Sequence, residues 1–106
     1  MNYRYMRLLV FFDLPTLTNK NVRDYNAFRK YLIAQGFIMM QKSVYSKLLV
    51  NNVVSQAVRK DLYKHLPPEG LVELLEITEN QFARIEYVLG SEQKEVVDST
   101  DKLIEI

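Results

Sequence analysis

The strongest constraint in the sequence is an apolar run near the N-terminus, residues 5–14, which leads into an aspartate, a leucine and a proline. Its aromatic and branched aliphatic side chains are typical of a β-strand, and Pro15 cannot continue a central strand. Both faces of the pleat are apolar, so we expect an inner strand that is covered on both sides. Asp13 lies at the carboxyl end of this strand. Its charge needs water, hydrogen bonds or a cation, because burying it alone is costly.

The next segment predicts an amphipathic helix followed by a strand. Asn19 or Asn21 can cap the helix, and Gly36 is a usual C-terminal stop. The apolar positions of the helix recur every three or four residues and so share one face. They are Val22, Tyr25, Phe28 and Leu32. A second strand segment is expected over residues 37–50, and it is long enough to be bent or bulged near 41–43.

The second half of the chain predicts one more helix and further strands. The asparagine pair at 51–52 caps the helix, and the sequence LPPEG at 66–70 ends it. Residues 71–78 read as a third strand and residues 82–90 as a fourth. A short turn at 79–81 is expected to join these two strands.

We predict the order β-α-β-β-α-β, which is the ferredoxin-like arrangement, an α+β fold with both helices on one face of a four-stranded antiparallel sheet. We assign the ferredoxin-like domain to residues 1–90 and a tail to residues 91–106. An uncovered sheet face so rich in leucine would be a large exposed apolar patch, so we expect a homodimer that pairs through it. The tail is expected to hold an additional C-terminal strand, which adds to the edge of the partner's sheet.

Size and composition limit the class of protein. A chain of 106 residues is most simply one domain, and 48% apolar with 25% charged residues is typical of ordered proteins. The chain has no cysteine, which excludes disulfides and thiolate metal sites and favours an intracellular protein. The apolar run is too short to span a membrane, and no small-residue cleavage site follows it. We therefore predict a cytoplasmic protein with no membrane partner.

The charges divide sharply along the chain. Residues 1–64 hold eleven Lys and Arg against three acids, whereas residues 65–106 hold three against ten. This polarity favours a basic surface that binds phosphate, unless the two halves interleave and their charges pair. The candidate nucleic-acid-binding residues are Arg23, Arg29, Lys30, Lys42 and Lys47, with Arg59, Lys60 and Lys64 of the second helix as further members of the basic set. Such residues bind phosphates without sequence preference and with strong salt dependence.

Asp13 is the candidate catalytic and metal-ligating residue. In a dimer that pairs through the sheet, two copies of Asp13 could approach each other, and their repulsion would be relieved by a cation between them. Mg²⁺ suits that position because it needs few carboxylates and keeps several waters, and it supports phosphodiester hydrolysis. The alternative is that Asp13 accepts hydrogen bonds from backbone amides of the turn that follows. His65, the single histidine, is interpreted as a helix-end residue.

Four segments together resemble a known family. They are MRLLVFFDLPT at 6–16, FRKYLIAQGF at 28–37, QKSVYSKLL at 41–49 and ITENQFAR at 77–84. They resemble the Cas-two family of small CRISPR-associated proteins, which belongs to the spacer-acquisition module. The last two segments are most similar to members from systems with a single large effector nuclease.

The resemblance implies both a fold and an assembly. It implies a ferredoxin-like homodimer whose C-terminal strand crosses to the partner. It also implies that this dimer bridges two dimers of the Cas-one integrase and holds the incoming double-stranded DNA. The alternative function is a Mg²⁺-dependent endonuclease acting on RNA or DNA, with one Asp13 from each subunit around a shared metal. A regulatory domain of the same fold that binds a small ligand is a third possibility.

The family's motif residues fall on positions of this chain with two departures. The strand-one aspartate, which carries the metal-dependent nuclease activity, falls on Asp13. The pattern Gln-x-Ser-hydrophobic-aromatic falls on Gln41, Ser43, Val44 and Tyr45. Many members have tyrosine where this chain has Phe12, and some have an arginine where it has Met39 and Met40. These departures remove candidate groups for stabilising a transition state near Asp13.

Overall fold

The structure is a computed structural model, and it describes residues 5–91. These residues form an α+β fold with a four-stranded antiparallel sheet and three helices. In chain order the elements are β1 (Met6–Asp13), α1 (Asn19–Ala34), β2 (Ile38–Gln41), β3 (Val44–Leu49), α2 (Asn52–Tyr63), β4 (Leu71–Thr78) and α3 (Glu79–Ala83). Within this part of the chain, no helix is long and apolar enough to cross a membrane.

β1 is an inner strand, as its apolar sequence predicts. The strand order is β2-β3-β1-β4, and every neighbouring pair is antiparallel. β1 pairs with β4 along its whole length, from Met6 opposite Thr78 to Asp13 opposite Leu71. This order places β4 at one edge of the sheet and the short β2 at the other. It fits the ferredoxin-like arrangement expected from the sequence.

The core lies between the sheet and the two long helices. Side chains alternate along β1, so Leu8, Val10 and Phe12 all face the helices. Phe28 and Leu32 of α1 and Leu62 of α2 enter the same buried cluster, and Tyr45 and Leu49 join it from β3. Both long helices therefore pack on one face of the sheet. The odd-numbered residues of β1 lie on the opposite face, which we call the open face.

The strand predicted over residues 37–50 is two strands. β2 and β3 are joined by a tight turn in which Ser43 has a positive φ of 68°. The register between β2 and β3 is interrupted between Met39 and Gln41, which places a bulge where the sequence predicts a bend. The division supplies the second and third strands of the β-α-β-β-α-β order.

The predictions for residues 79–90 are wrong. The expected turn at 79–81 is the first turn of α3, and residues 82–90 form no strand. The cause is local: the Thr78 hydroxyl accepts from the Gln81 N–H at 3.0 Å, and the Gln81 side chain accepts from the Thr78 N–H at 2.9 Å. This capping box starts a helix directly after β4, which is already the fourth strand. Residues 92–106, which hold most of the predicted tail and its additional strand, lie outside the described residues.

The predicted cap of α2 is the observed one, whereas the predicted caps of α1 lie one and three residues beyond the observed cap. Thr18, not an asparagine, caps α1, and Asn21 completes the capping box from the third helical position. Asn51 caps α2 by accepting from the Val54 N–H at 2.8 Å. α1 ends just before Gly36, whose φ of 93° is the left-handed conformation expected at such a stop.

Candidate metal site and nucleic-acid interface

Asp13 is the last residue of β1 and lies at the edge of the open face. Phe12 points into the core, so strand alternation places the Asp13 side chain on the opposite face of the sheet, where it is exposed. The carboxylate has no hydrogen bond and no ion pair within residues 5–91, so the predicted bonds to amides of the following turn are not formed. The exposed carboxylate is therefore accessible to a cation.

Asp13 shares an open pocket with residues of the β2–β3 turn and of β4. Lys42 and Ser43 line it from the β2–β3 turn, and Leu71 and Glu73 line it from β4. The Phe12 N–H donates to the Ser43 carbonyl at 3.1 Å, which fixes this turn against the end of β1. The pocket therefore combines two carboxylates, one ammonium group and one hydroxyl.

The donor set suits a weakly coordinated Mg²⁺ and not a closed metal cage. Asp13 and Glu73 are the acidic residues that line this pocket. Among residues 5–91, no group of three or more His, Cys, Asp or Glu side chains could hold a metal ion. One chain thus offers at most two carboxylate ligands, and water, a phosphate or a second chain would supply the others.

Gly70 fixes the backbone position of Asp13. A Cβ at Gly70 would lie 2.8 Å from the Asp13 carbonyl oxygen and 2.7 Å from Cδ2 of Leu14. Its φ of 105° also belongs to the left-handed region that other residues rarely adopt. The start of β4 can therefore approach the end of β1 only because residue 70 is glycine.

Two of the motif positions are explained by packing. Tyr45 is buried and stacks on Phe12 with ring centroids 5.7 Å apart. Phe12 also contacts Tyr25 and Phe28 edge to face at 5.9 and 5.3 Å. These rings surround Phe12 on the helix side of the sheet, and Phe12 also belongs to the lining of the pocket of Asp13. Of the motif residues at 41–45, Ser43 and Val44 line that pocket.

The five predicted nucleic-acid-binding residues do not form one cluster. Arg23 and Lys30 are seven residues apart on the solvent face of α1, and Arg29 is half-buried beside them. Lys47 donates to the Gln35 carbonyl at 2.9 Å, at the C-terminal end of α1. Lys42 lies at the other end of β3, in the pocket of Asp13.

The acids near the two long helices are largely engaged by partners. Asp24 pairs with Lys20 at 2.9 Å, and Asp61 accepts a hydrogen bond from the Tyr31 hydroxyl. We call α1 and α2, with the residues that end them, the helix layer. In contrast to these acids, several cations of the helix layer form no ion pair within the described part of the chain. These are Arg23, Arg29, Lys30, Lys60 and Lys64. The helix layer therefore presents a net positive surface to solvent.

The alternative of interleaved charges is correct for two other basic residues. Arg59 of α2 donates to Oε1 of Glu76 at 2.6 Å, and Arg7 of β1 pairs with Glu79. Arg7 also lies over the ring of Phe82, 4.3 Å from its centroid. Acids of the second half of the chain thus neutralise Arg59 and Arg7, which removes Arg59 from the set of free cations.

The open face of the sheet is apolar, as the sequence predicts. Leu71 and Leu75 of β4 are 55% and 49% exposed, and Ile38 of β2 is 60% exposed. The register places these side chains on the same face as Leu9 and Asp13. Leu9 of β1 is buried on this face, so the exposed apolar side chains belong to the two edge strands, β4 and β2.

The fold and the site define a class: a small α+β protein with a four-stranded antiparallel sheet, two helices on one face and an exposed carboxylate at the end of the inner strand. The chain matches the family model for CRISPR associated protein Cas2 over residues 6–85. It belongs to the Cas2 family, which is the Cas-two family that its motifs resemble.

The curated relatives match the chain over most of its length. It is 48% identical to a CRISPR-associated endoribonuclease Cas2 of Treponema denticola, covering 93% of this chain and 98% of that protein. It is 42% identical to a protein of the same name from Streptococcus mutans, covering 93% and 91%. A solved Cas2 crystal structure matches with a TM-score of 0.59 at 19% identity, covering 87% of this chain and 94% of that one, which supports the fold.

Sequence reasoning missed two neighbours of Asp13. Glu73 lines its pocket because β4 pairs with β1, and Gly70 packs on its backbone. The order β-α-β-β-α-β already places the last strand beside the first, so this topology was the available signal for Glu73. No sequence pattern separates Gly70 from an ordinary turn glycine.

Proposed function

We propose that this protein is a homodimeric adaptor of the CRISPR spacer-acquisition complex, which holds the incoming double-stranded DNA and bridges two dimers of the Cas-one integrase. The observation that carries the DNA-binding part is the set of unpaired cations on the helix layer. The integrase comes from membership of the family. The proposed setting is the cytoplasm.

The apolar open face supports the dimer. A monomer that left Leu71, Leu75 and Ile38 in water would expose a patch of the kind that usually marks an interface. A two-fold pairing of two open faces buries the same side chains from both copies. In that arrangement the helix layers face outward, and their cations remain available on both sides of the dimer.

The charge distribution supports binding to the DNA backbone. Arg23 and Lys30 project from one helix face without acidic partners, so their interaction with phosphates is not opposed by an internal ion pair. Contacts of this kind position a duplex but carry no sequence information. This suits an adaptor whose DNA varies in sequence.

The second candidate is a Mg²⁺-dependent endonuclease that uses Asp13. The observation in its favour is an exposed carboxylate with no partner within residues 5–91, and the relatives named above are called endoribonucleases. Asp13 and Glu73 would hold the ion, and Asp13 of a second subunit could complete the site. When bound, Mg²⁺ would activate a water and stabilise charge on the phosphate. Lys42 and Ser43 can orient that phosphate from the same pocket.

The substitution Asp13→Ala separates the two functions, with isosteric Asp13→Asn as the matched variant. An adaptor keeps spacer acquisition and DNA binding in both variants, whether or not cleavage is lost. Failure of acquisition while the dimer and DNA binding persist would support the endonuclease. A wild-type protein that retains no nucleic acid at low salt would contradict both and favour a small-ligand regulatory domain.

A further inference from the structure

The inner strand β1 carries one cation, Arg7, and this residue lies on the open face of the sheet. Its neighbours across the sheet are Leu48 of β3 and Ile77 of β4, which are both apolar. The Arg7 side chain is only 17% exposed. A guanidinium group that is mostly buried among apolar side chains is costly unless hydrogen bonds and an opposite charge satisfy it.

The partners of Arg7 within the described part of the chain belong to α3. Its Nε donates to Oε1 of Glu79 at 3.0 Å, and its Nη2 donates to the second oxygen of the same carboxylate. The guanidinium group also lies over the ring of Phe82, 4.3 Å from the centroid. A helix of five residues is not stable by itself. The two parallel hydrogen bonds and the ring contact therefore fix both the position and the rotation of α3 against the sheet.

An apolar segment follows directly after α3. Residues 85–89 begin two positions beyond the end of this helix and line one wall of a groove, with Leu9 and Phe11 of the open face on the other wall. Val88 and Leu89 are 92% and 95% exposed. Because the segment starts so close to α3, the orientation of α3 decides where these exposed apolar side chains lie.

This segment continues the surface through which we propose that two copies pair. Val88 and Leu89 lie on the same side of the sheet as Leu71 and Leu75, the exposed leucines of β4. Continuity with that surface makes a second copy of this chain the partner that would cover them. A segment that is ordered before association costs less conformational entropy when the partner binds.

We infer that Arg7 is a positioning residue for dimer formation. Through Glu79 and Phe82 it holds α3, so that residues 85–89 are already placed over the open face when a second copy binds. Arg7 acts from within its own chain and does not need to contact the partner. The inference rests on the proposed homodimer and adds to it the residue that prepares its interface.

The test measures the dissociation constant of the dimer by sedimentation equilibrium of the full-length protein. Arg7→Met keeps the length of the side chain but loses its charge and its hydrogen bonds. It should raise the dissociation constant about tenfold or more, the scale of a lost hydrogen bond between charged groups. Arg7→Lys keeps the charge without the paired geometry, so its dissociation constant should lie between those of wild type and Arg7→Met. Glu79→Gln should also weaken the dimer, and the double variant of Arg7→Met with Glu79→Gln should differ little from Arg7→Met alone, because both residues act through one contact.

Arg59→Met is the matched control, since it breaks the ion pair with Glu76 on the opposite face of the sheet. It should lower the free energy of unfolding and leave the dissociation constant unchanged. A wild-type protein that stays monomeric at high micromolar concentration would contradict the proposed homodimer itself. If wild type pairs but Arg7→Met pairs as tightly, or if Arg59→Met weakens the dimer as much, the inference about Arg7 is overturned while the homodimer stands. Should Arg7→Met not fold, the milder variants Arg7→Lys and Glu79→Gln decide.

Discussion

Arg59 of α2 and Glu76 of β4 form an ion pair on the core side of the sheet, with Nη2 and Oε1 2.6 Å apart. The Ser55 hydroxyl donates to the same oxygen at 3.0 Å. Glu76 lies opposite Leu8 in the sheet register, which places its carboxylate between strand β4 and α2. One partly exposed carboxylate oxygen thus joins the second helix to the edge strand.

Glu76→Ala is expected to lower the free energy of unfolding by about 1–3 kcal/mol, because it leaves Arg59 and the buried Ser55 hydroxyl without their acceptor. Urea denaturation measures the loss. Glu73→Ala is the control, since Glu73 is exposed on the other face of the same strand. Its effect should stay within about 0.5 kcal/mol, and equal losses in the two variants would contradict the structural role of Glu76.

Gly70→Ala is expected to lower the free energy of unfolding by more than about 1 kcal/mol. The added Cβ would press on the Asp13 carbonyl oxygen and on Leu14, and the φ of 105° would be strained. Gly90→Ala is the matched control: its φ of 86° is also positive, but a Cβ there meets nothing within 4 Å. Urea denaturation of both variants separates the strain of a positive φ, which both share, from the contacts of the new Cβ, which only Gly70→Ala makes. An equal loss of unfolding free energy in the two variants would contradict the close approach of Gly70 to Asp13.

Elements with a strong local signal could be predicted from the sequence. Residues 5–14 have apolar side chains on both faces, and β1 lies in the middle of the sheet with neighbours on both sides. Asn51 is followed by an apolar helical pattern and caps α2. In each case, local preference and tertiary packing favour the same structure, which is why these predictions were confirmed.

The predictions that failed depended on choices that the local pattern leaves open. Residues 82–90 have the composition of a strand, but the capping box between Thr78 and Gln81 starts α3, which includes residues 82 and 83, and residues 84–90 form neither helix nor strand. For the site, the exposure of Asp13 followed from its position at the end of an apolar strand. The pairing of Arg59 with Glu76 could not be predicted from the sequence, because the distribution of charge along the chain does not reveal which side chains meet in the fold.

Because of Tyr31, the free energy of unfolding should fall at alkaline pH. Burial, the hydrogen bond to Asp61 and the charge of Asp61 raise the pKa of Tyr31 well above its ordinary value. The folded protein then keeps this proton at pH values where the unfolded chain loses it, so the contribution is complete below about pH 10 and falls as pH rises further. Tyr31→Phe should therefore lose less stability than wild type between about pH 10 and pH 12, as measured by urea denaturation at each pH. Parallel losses in the two proteins would contradict this prediction.

Charge reversal on α1 should weaken DNA binding. Arg23→Glu with Lys30→Glu replaces two unpaired cations on one helix face, so affinity should fall and the dependence of log Kd on log salt should flatten by about 2 for each protomer that contacts DNA. A salt titration by fluorescence anisotropy measures both. Arg84→Glu is the control, since Arg84 ends α3, outside the helix layer. Unchanged affinity in the α1 variant would remove the basis for the DNA-binding surface.

The dimer proposal depends on the open face, and Leu71→Lys with Leu75→Lys tests it. Both side chains are about half-exposed in the monomer, so the variant should fold with little loss of stability, but pairing two copies would bury four unpaired ammonium groups. Wild type should sediment as a dimer at micromolar concentration and the variant as a monomer. Val53→Lys, on the exposed side of α2, should remain a dimer. A wild-type monomer at high micromolar concentration would leave the apolar sheet in water and contradict the proposal, because an adaptor that joins two integrase dimers requires two equivalent faces.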